Sequence, residues 1–391
     1  ATAEKYYKQA LDIRPGDLDA HFNYANMLYH QNRLPEALEE YRSAVVIAPE
    51  RFEISNNLGL IQKDLGEYEE ALGLFFNAFL KEPDKEEISV NIAETLTLLH
   101  YQDKEKAEKI AANWLEKAPD NVFARHLNAA FKGDNCENNQ IFAQKLFDNF
   151  AATYDETLER LNPQITAEFL RQHGAMKGTV LDLGCGTGLA AQALKTADSI
   201  FDGADISAKM LEAARRKGVY RSLYQADVTA LLQDMAAGAA VKPIAATAAA
   251  EMPVGTGANT AVPHNGYTLI IAFDVFCYMG NLEDVLNAAA DLMRQADGEQ
   301  AESRKTKAAP SSGNGTPELW FTTESADEER GNDFYLTAAG RYKHRRQYVE
   351  KALHKAGFTE IDAYPLTLRQ GNGADVPGVL FRAANPGKGG N

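Results

Sequence analysis

From Ala3 to Pro119 the same columns of small, apolar and helix-breaking residues return every 34 positions. Ala3, Ala37 and Ala71 hold one column, Ala10, Ala44 and Ala78 a second, and Ala25, Gly59 and Ala93 a third. Pro15, Pro49 and Pro83 close each unit, and Ala107 and Pro119 continue the pattern after a slip of two residues. The segments ALEEYRSAVVIAP and ALGLFFNAFLKEP align column by column, with Tyr41 and Phe75 four positions after the first alanine. Their apolar residues follow helical spacing. Proline cannot continue a helix, so each one marks the end of a second helix, and the small columns mark where helices cross. The pattern predicts stacked helix pairs over residues 1–130.

A 34-residue period with these columns resembles the tetratricopeptide repeat, an α-solenoid. The opening AEKYYKQALDIRP aligns with the second helices, so the array is expected to lack the partner of its first helix. Asn23, Asn57 and Asn91 recur eight residues after each proline, on the first helix of each pair. They resemble the asparagine ladder with which some tetratricopeptide superhelices hold an extended polypeptide. An amide offers both donor and acceptor to a peptide unit of any sequence, and it can equally bond neighbouring helices. The expected partner is a protein or peptide on the concave face.

After a polar linker ending near Asn139, the pattern changes. The run IFAQKLFDNFAATYDETLERL has helical spacing up to Pro163, and from there apolar strands alternate with helical segments. The strand TVLDL leads into GCGTG, with Gly184, Gly186 and Gly188 at alternate positions. The dinucleotide fingerprint needs its third glycine at 189, where Leu189 stands, and no Gly-Lys-Ser/Thr follows for a P-loop. The second strand ends at Asp205, 21 residues after Gly184, where an acid accepts hydrogen bonds from ribose hydroxyls. Ser207 is a helix N-cap, and the third strand, YRSLYQADV, ends in Asp227. Asp182, Asp205 and Asp227 each follow an apolar strand and so line the carboxyl edge of a parallel sheet, where open α/β folds bind ligands. YTLIIA and ELWFTTE are the next strands, and a hairpin around GNGAD closes the sheet. Two low-complexity stretches, near 234–266 and 298–317, read as mobile insertions.

Composition narrows the partners. A net charge of −15 disfavours general binding to nucleic-acid backbones or anionic membranes. Three widely spaced cysteines, Cys136, Cys185 and Cys277, point to neither a disulfide framework nor a zinc site, and with no signal peptide or long apolar run a cytoplasmic setting is expected.

D-x-G-x-G-x-G at Asp182 to Gly188 resembles motif I of class I S-adenosylmethionine (SAM)-dependent methyltransferases. The resemblance implies a Rossmann-like domain over 176–385, a seven-stranded mixed sheet with helices on both faces, preceded by lid helices in 131–175. It places Asp182 near the methionine end of SAM and Asp227 at the adenine. It also places Tyr154, in the FDNFAATYDETL segment, over the sulfonium, where an aromatic face suits a cation. Gly184, Cys185, Gly186, Gly188, Ile206, Met210, Val228 and Phe273 complete the implied cofactor wall. Product would be S-adenosylhomocysteine, and no metal is required.

The runs LFDNFAATYD, VLDLGCGTG, DVFCYMGNL, GRYKH, LRQGNG and VPGVLF narrow the resemblance to bacterial methyltransferases that carry tetratricopeptide repeats. In that family the segment matching Gly340 to His344 introduces a helix and borders the substrate pocket. Asp274, Tyr278 and His344 are therefore the catalytic or acceptor-facing candidates, with His344 as a general base; Asp274 could equally cap a helix, and His344 could stand at a helix start. The absence of Asn/Asp-Pro-Pro-Tyr/Phe at AFDVF disfavours the amino-methylating nucleic-acid and glutamine enzymes. An enzyme acting on a protein or small molecule is the leading expectation. Its rival is a repeat scaffold whose methyltransferase fold has no catalytic role.

Overall fold

The computed structural model describes residues 2–136, 139–156, 178–246, 266–306, 316–327, 331–371 and 374–386. The chain divides into two compact units, Ala1–Lys132 and Gly133–Asn391.

The first unit contains eight helices: α1 (Thr2–Ile13), α2 (Leu18–His30), α3 (Leu34–Ile47), α4 (Phe52–Asp64), α5 (Tyr68–Lys81), α6 (Glu86–Gln102), α7 (Lys104–Lys117) and α8 (Val122–Lys132). Helices α1, α3, α5 and α7 each end two residues before a proline of the period. A proline disfavours α geometry in the residue before it, so the sequence stops the helix there. The repeating columns are the core: Ala25, Ala37, Tyr41, Ala44, Ala71, Phe75 and Ala78 are all at most 1% exposed. After the two-residue slip the columns hold reversed sizes. Ala111 falls in the aromatic column and Trp114 in the alanine column, and both are buried. Trp114 packs edge-on to Phe76 and Phe79, with centroids 6.0 and 6.1 Å away, so volume is conserved although its position moves.

The second unit opens with α9 (Asn139–Phe150) and is built on one mixed sheet. Its long strands are β1 (Gly178–Leu183), β2 (Ser199–Asp205), β3 (Tyr220–Gln225), β5 (Tyr267–Ala272), β6 (Glu318–Ser325), β9 (Phe358–Gly371) and β10 (Ala374–Pro386), in the order β3-β2-β1-β5-β6-β10-β9. All pairs up to β6 are parallel, and β10 lies antiparallel between β6 and β9. These are the seven strands the sequence predicts. Three short strands extend the sheet to ten: β4 (Ala245–Ala246) beside β3, and β7 (Phe334–Leu336) and β8 (Tyr342–His344), with β8 paired to β6. The GRYKH run thus forms a strand before the helix Arg346–Ala356.

Alternation along the strands separates two cores. Leu181 and Leu183 join the helices Val228–Ala236, Glu283–Thr306 and Arg346–Ala356 on one face; Val180 joins Leu189–Leu194 and Ala208–Lys217 on the other. Ser207 caps the helix Ala208–Lys217 by accepting from the Met210 N–H at 3.1 Å, an arrangement that contributes about 1 kcal/mol.

The expected insertions are narrower than their sequence ranges. Residues 298–306 continue a helix, as their Gln, Ala, Glu, Arg and Lys content favours, and 234–236 end another. The remainder at 247–265 and 307–315, together with Pro163 and the hairpin tip at 372–373, lies outside the described residues. Among the described residues no helix is long and apolar enough to cross a membrane.

Candidate functional site

Parallel strands β1, β2, β3 and β5 all end at one edge of the sheet, and the turns that follow them surround an open cavity. Its lining includes Gly184 and Gly186 from the first turn, Asp205 and Ile206 from the second, and Asp227 and Val228 from the third. Phe273, Asp274 and Tyr278 enter from beyond β5, and Tyr154 from the segment after α9. Gly184 (φ +62°) has no room for a side chain, because a β-carbon would stand 2.3 Å from Val275 Cγ2. At Gly186 (φ +52°) a β-carbon would project toward the Tyr154 ring, 3.7 Å away, and close the space between turn and ring.

Asp205 ties two of these turns together. Its Oδ2 accepts from the Gly186 N–H and its Oδ1 from the Ser207 N–H, both at 2.8 Å. Burial pushes its carboxyl up to about 6, against the pull of those two N–H groups. Asp227 caps the helix Val228–Ala236 through Oδ1, which accepts from Thr229 and Ala230, while Oδ2 accepts from Gln140 Nε2 at 2.8 Å.

The α9 segment roofs the site and is fastened at two further turns. Ser207 Oγ donates to Asp148 Oδ1 at 2.6 Å. Asp155 accepts from the Thr187 hydroxyl and pairs with Lys217 Nζ at 2.7 Å. Phe147 stands edge-on to both Tyr154 and Tyr278, at 6.0 and 5.2 Å. Gln140, Ala143 and Phe147 all line the cavity, and their i, i+3, i+7 spacing was the available signal for the inner face of this helix.

Five expected residues stand behind the cavity lining. Asp182 is 2% exposed and accepts from the Tyr220 hydroxyl at 2.6 Å; burial raises its carboxyl to about 7. Cys185 and Met210 are core side chains, and Gly188 is the left-handed cap of Leu189–Leu194. His344 is 1% exposed, and its Nε2–H donates to the carbonyls of Met279 and Gly280 at 2.9 and 3.0 Å. Burial lowers its pKa to about 4, and its Nδ1 has no partner among the described residues. A residue on an inner strand, with Phe334 and Tyr348 beside its ring, cannot serve the cavity as a base. It holds the Met279–Gly280 backbone instead.

Beyond β5 the cavity meets a buried charge cluster. Arg341 donates to Asp274 Oδ1, to Glu324 and to the Tyr278 hydroxyl oxygen. Arg369 donates to Asp274 Oδ1 at 3.1 Å and to Glu324 at 2.6 Å. Burial by itself would raise the Glu324 carboxyl, but the two guanidiniums overcome it and hold the group below its ordinary value. Asp274 has a left-handed backbone, φ +59°, which its N–H stabilises by donating to Thr322 Oγ1 at 3.0 Å. Asp274, Cys277 and Glu324 have ligand atoms within 4.8 Å of one another. The two acids are already compensated by the two arginines, and burial keeps the thiol protonated, which disfavours a cation there. Glu324 and Arg369 carried no site assignment from sequence.

In the repeats, Asn23 is exposed, whereas Asn57 Nδ2 donates to Asn26 Oδ1 and Tyr41 Oη, both at 3.0 Å, and Asn91 Nδ2 donates to Asn56 Oδ1 at 2.9 Å. Two members of the column therefore join neighbouring helices.

Comparison with known proteins agrees with this division. Residues 181–298 match a methyltransferase domain model and residues 1–52 a tetratricopeptide repeat model. A 64-residue stretch is 36% identical to mouse (Mus musculus) protein O-mannosyl-transferase TMTC1, covering 16% of this chain and 7% of that protein, so the match spans a small fraction of the relative. Among solved structures, a SAM-dependent methyltransferase of Thermotoga maritima is 13% identical, with a TM-score of 0.37 over 62% of this chain and 98% of that one. Magnesium protoporphyrin IX methyltransferase of Synechocystis is 16% identical, with a TM-score of 0.33 over 71% and 97%. The chain joins a tetratricopeptide-repeat segment to a methyltransferase domain with a Rossmann-like fold.

Proposed function

We propose that the chain is a class I SAM-dependent methyltransferase that acts on a protein or small-molecule acceptor, with the repeats recruiting a protein or peptide. The observation that carries this reading is the convergence of Gly186, Asp205, Asp227 and Tyr154 on one cavity.

The lining of the cavity suits SAM in its donor and acceptor set. Acids at Asp205 and Asp227 favour hydroxyls, an amine and a cation. Asp205 uses one lone pair on each oxygen for the backbone and keeps the others for a ribose diol. The Gly186 backbone leaves space beneath the Tyr154 ring, whose face suits a sulfonium. Asp227 and Val228 would border the adenine. Bound SAM supplies a methyl group already activated by its positive sulfur. The chain's own contribution is alignment and exclusion of water by the α9 roof, with the acceptor entering beside Asp274 and Tyr278.

The test is transfer of labelled methyl from SAM into a source-cell extract, with Asp205→Ala as control and SAM binding followed by calorimetry. Label that depends on Asp205 supports an enzyme, and its protein-bound or soluble form distinguishes a macromolecular from a small acceptor. SAM binding without transfer, or no SAM binding, would favour the scaffold.

A further inference from the structure

We propose that Arg341 and Arg369 are positioning residues that present Asp274 and Tyr278 as a paired hydrogen-bond acceptor and donor, selecting an uncharged hydroxyl as the methyl acceptor. The proposal rests on the methyltransferase reading above and extends it to the class of acceptor.

The directions of the hydrogen bonds carry the argument. Both guanidiniums converge on a single oxygen of Asp274, Oδ1, and Asp274 lines the cavity. Its Oδ2 accepts no hydrogen bond among the described residues, and the side chain is 37% exposed, against 5% for Glu324. The Tyr278 oxygen receives a hydrogen from Arg341, so the phenol's own hydrogen remains for another partner, and Tyr278 also lines the cavity. Burial raises the phenol's pKa, so it stays a donor. The cavity therefore meets one open carboxylate oxygen and one open O–H on the same loop.

A neutral hydroxyl satisfies both, donating to Asp274 Oδ2 and accepting from Tyr278 with one lone pair while the second faces the methyl carbon; an amine has a single lone pair and cannot both accept from Tyr278 and attack. As the nucleophile's lone pair forms its bond to the methyl carbon, the carbon–sulfur electron pair stays with sulfur and the proton passes to Asp274 Oδ2. A carboxylate acceptor has no hydrogen for Oδ2. It would also meet a cluster of two arginines and two acids with no net positive charge to attract it. Glu324 completes the device: it takes one hydrogen bond from each guanidinium and fixes their planes, so that Asp274 is held from two elements, β9 and the residue preceding β8.

The experiment uses the full chain and labelled SAM with a source-cell extract. Wild type is expected to transfer a label that survives mild alkali and is recovered as an ether, an N-methyl product overturning the assignment, and Arg369→Gln is expected to lose about a hundredfold in transfer while S-adenosylhomocysteine affinity, read by calorimetry, is unchanged. Because Arg369→Gln leaves Glu324 short of a partner, the double variant Arg369→Gln/Glu324→Gln restores charge balance. Positioning predicts that it regains stability in urea unfolding but not transfer. Volatile, alkali-labile label would identify a carboxylate acceptor and overturn the assignment; so would full transfer by Arg369→Gln, or recovery of transfer in the double variant. Wild type that binds SAM and transfers nothing overturns the methyltransferase reading, and the acceptor assignment with it.

Discussion

Gln140 and Asp227 are 87 residues apart, yet the side-chain amide of one donates to the carboxylate of the other at 2.8 Å. The contact joins the first turn of the α9 roof to the turn after β3. Roof and floor are therefore closed by a bond that does not involve any ligand.

Gln140→Ala should loosen the roof without altering the floor. The loss of one charge-assisted bond predicts SAM affinity weaker by up to about tenfold, or about 1.4 kcal/mol, measured by calorimetry. Unchanged affinity would mean that the roof contributes nothing at that corner.

Asp182 should make the second unit less stable as pH rises. Its folded pKa of about 7 lies above its ordinary 3.8, so the folded chain keeps a proton that the unfolded chain has lost. Stability therefore falls between roughly pH 4 and pH 7 and levels off above. Asp205 adds the same slope up to about pH 6. Asp182→Asn should abolish the part between pH 6 and 7, which urea unfolding at a series of pH values would detect.

His344 carries the opposite sign. It is neutral when folded, down to about pH 4, whereas an unfolded histidine takes up a proton below 6.5. Stability is thus lost as pH falls from about 6.5 to about 4. His344→Ala removes the donor to two buried carbonyls and should destabilise the unit by about 2–3 kcal/mol. Methyl transfer by wild type should show no ionisation attributable to this ring between pH 5 and 9.

Gly59→Ala addresses the repeats. A β-carbon there would stand 2.6 Å from Phe75 Cε1, so the ring must shift in a filled core. A loss of about 1–3 kcal/mol is expected, visible as an earlier calorimetric transition of the repeat unit.

The asparagine column should divide in two. Asn57→Ala removes the donor shared by Asn26 and Tyr41, which keep their bond to each other, and should destabilise by about 1 kcal/mol, whereas exposed Asn23→Ala should stay within about 0.5 kcal/mol. Only the second is then a clean probe of peptide capture in a pull-down.

Sequence made the repeats legible because their signal is periodic and local: Pro15, Pro49 and Pro83 stop helices whatever the tertiary setting. The floor of the cavity was legible for the same reason, since Gly184, Gly186 and Asp205 occupy turns fixed by adjacent strands. His344 was expected at the pocket border or at a helix start, whereas short strand β8 draws the ring inside. Arg369 and Glu324 were invisible as a site because Arg369 lies 45 residues from Glu324 and 95 from Asp274, and the antiparallel addition of β9 brings them together. Asp182 was named from its motif, but its burial was not legible, because the Tyr220 hydroxyl that donates to it comes from β3, with β2 between.

The pair of hydrogen bonds that Asp205 accepts from Gly186 and Ser207 bears on the thermodynamics of binding. Because one carboxylate fixes the spacing of two turns in the free chain, an incoming ligand finds those turns preorganised and does not have to order them. Slow amide exchange at Gly186 and Ser207 should therefore be a property of the free protein, and the entropy of binding should come from the roof and from displaced water.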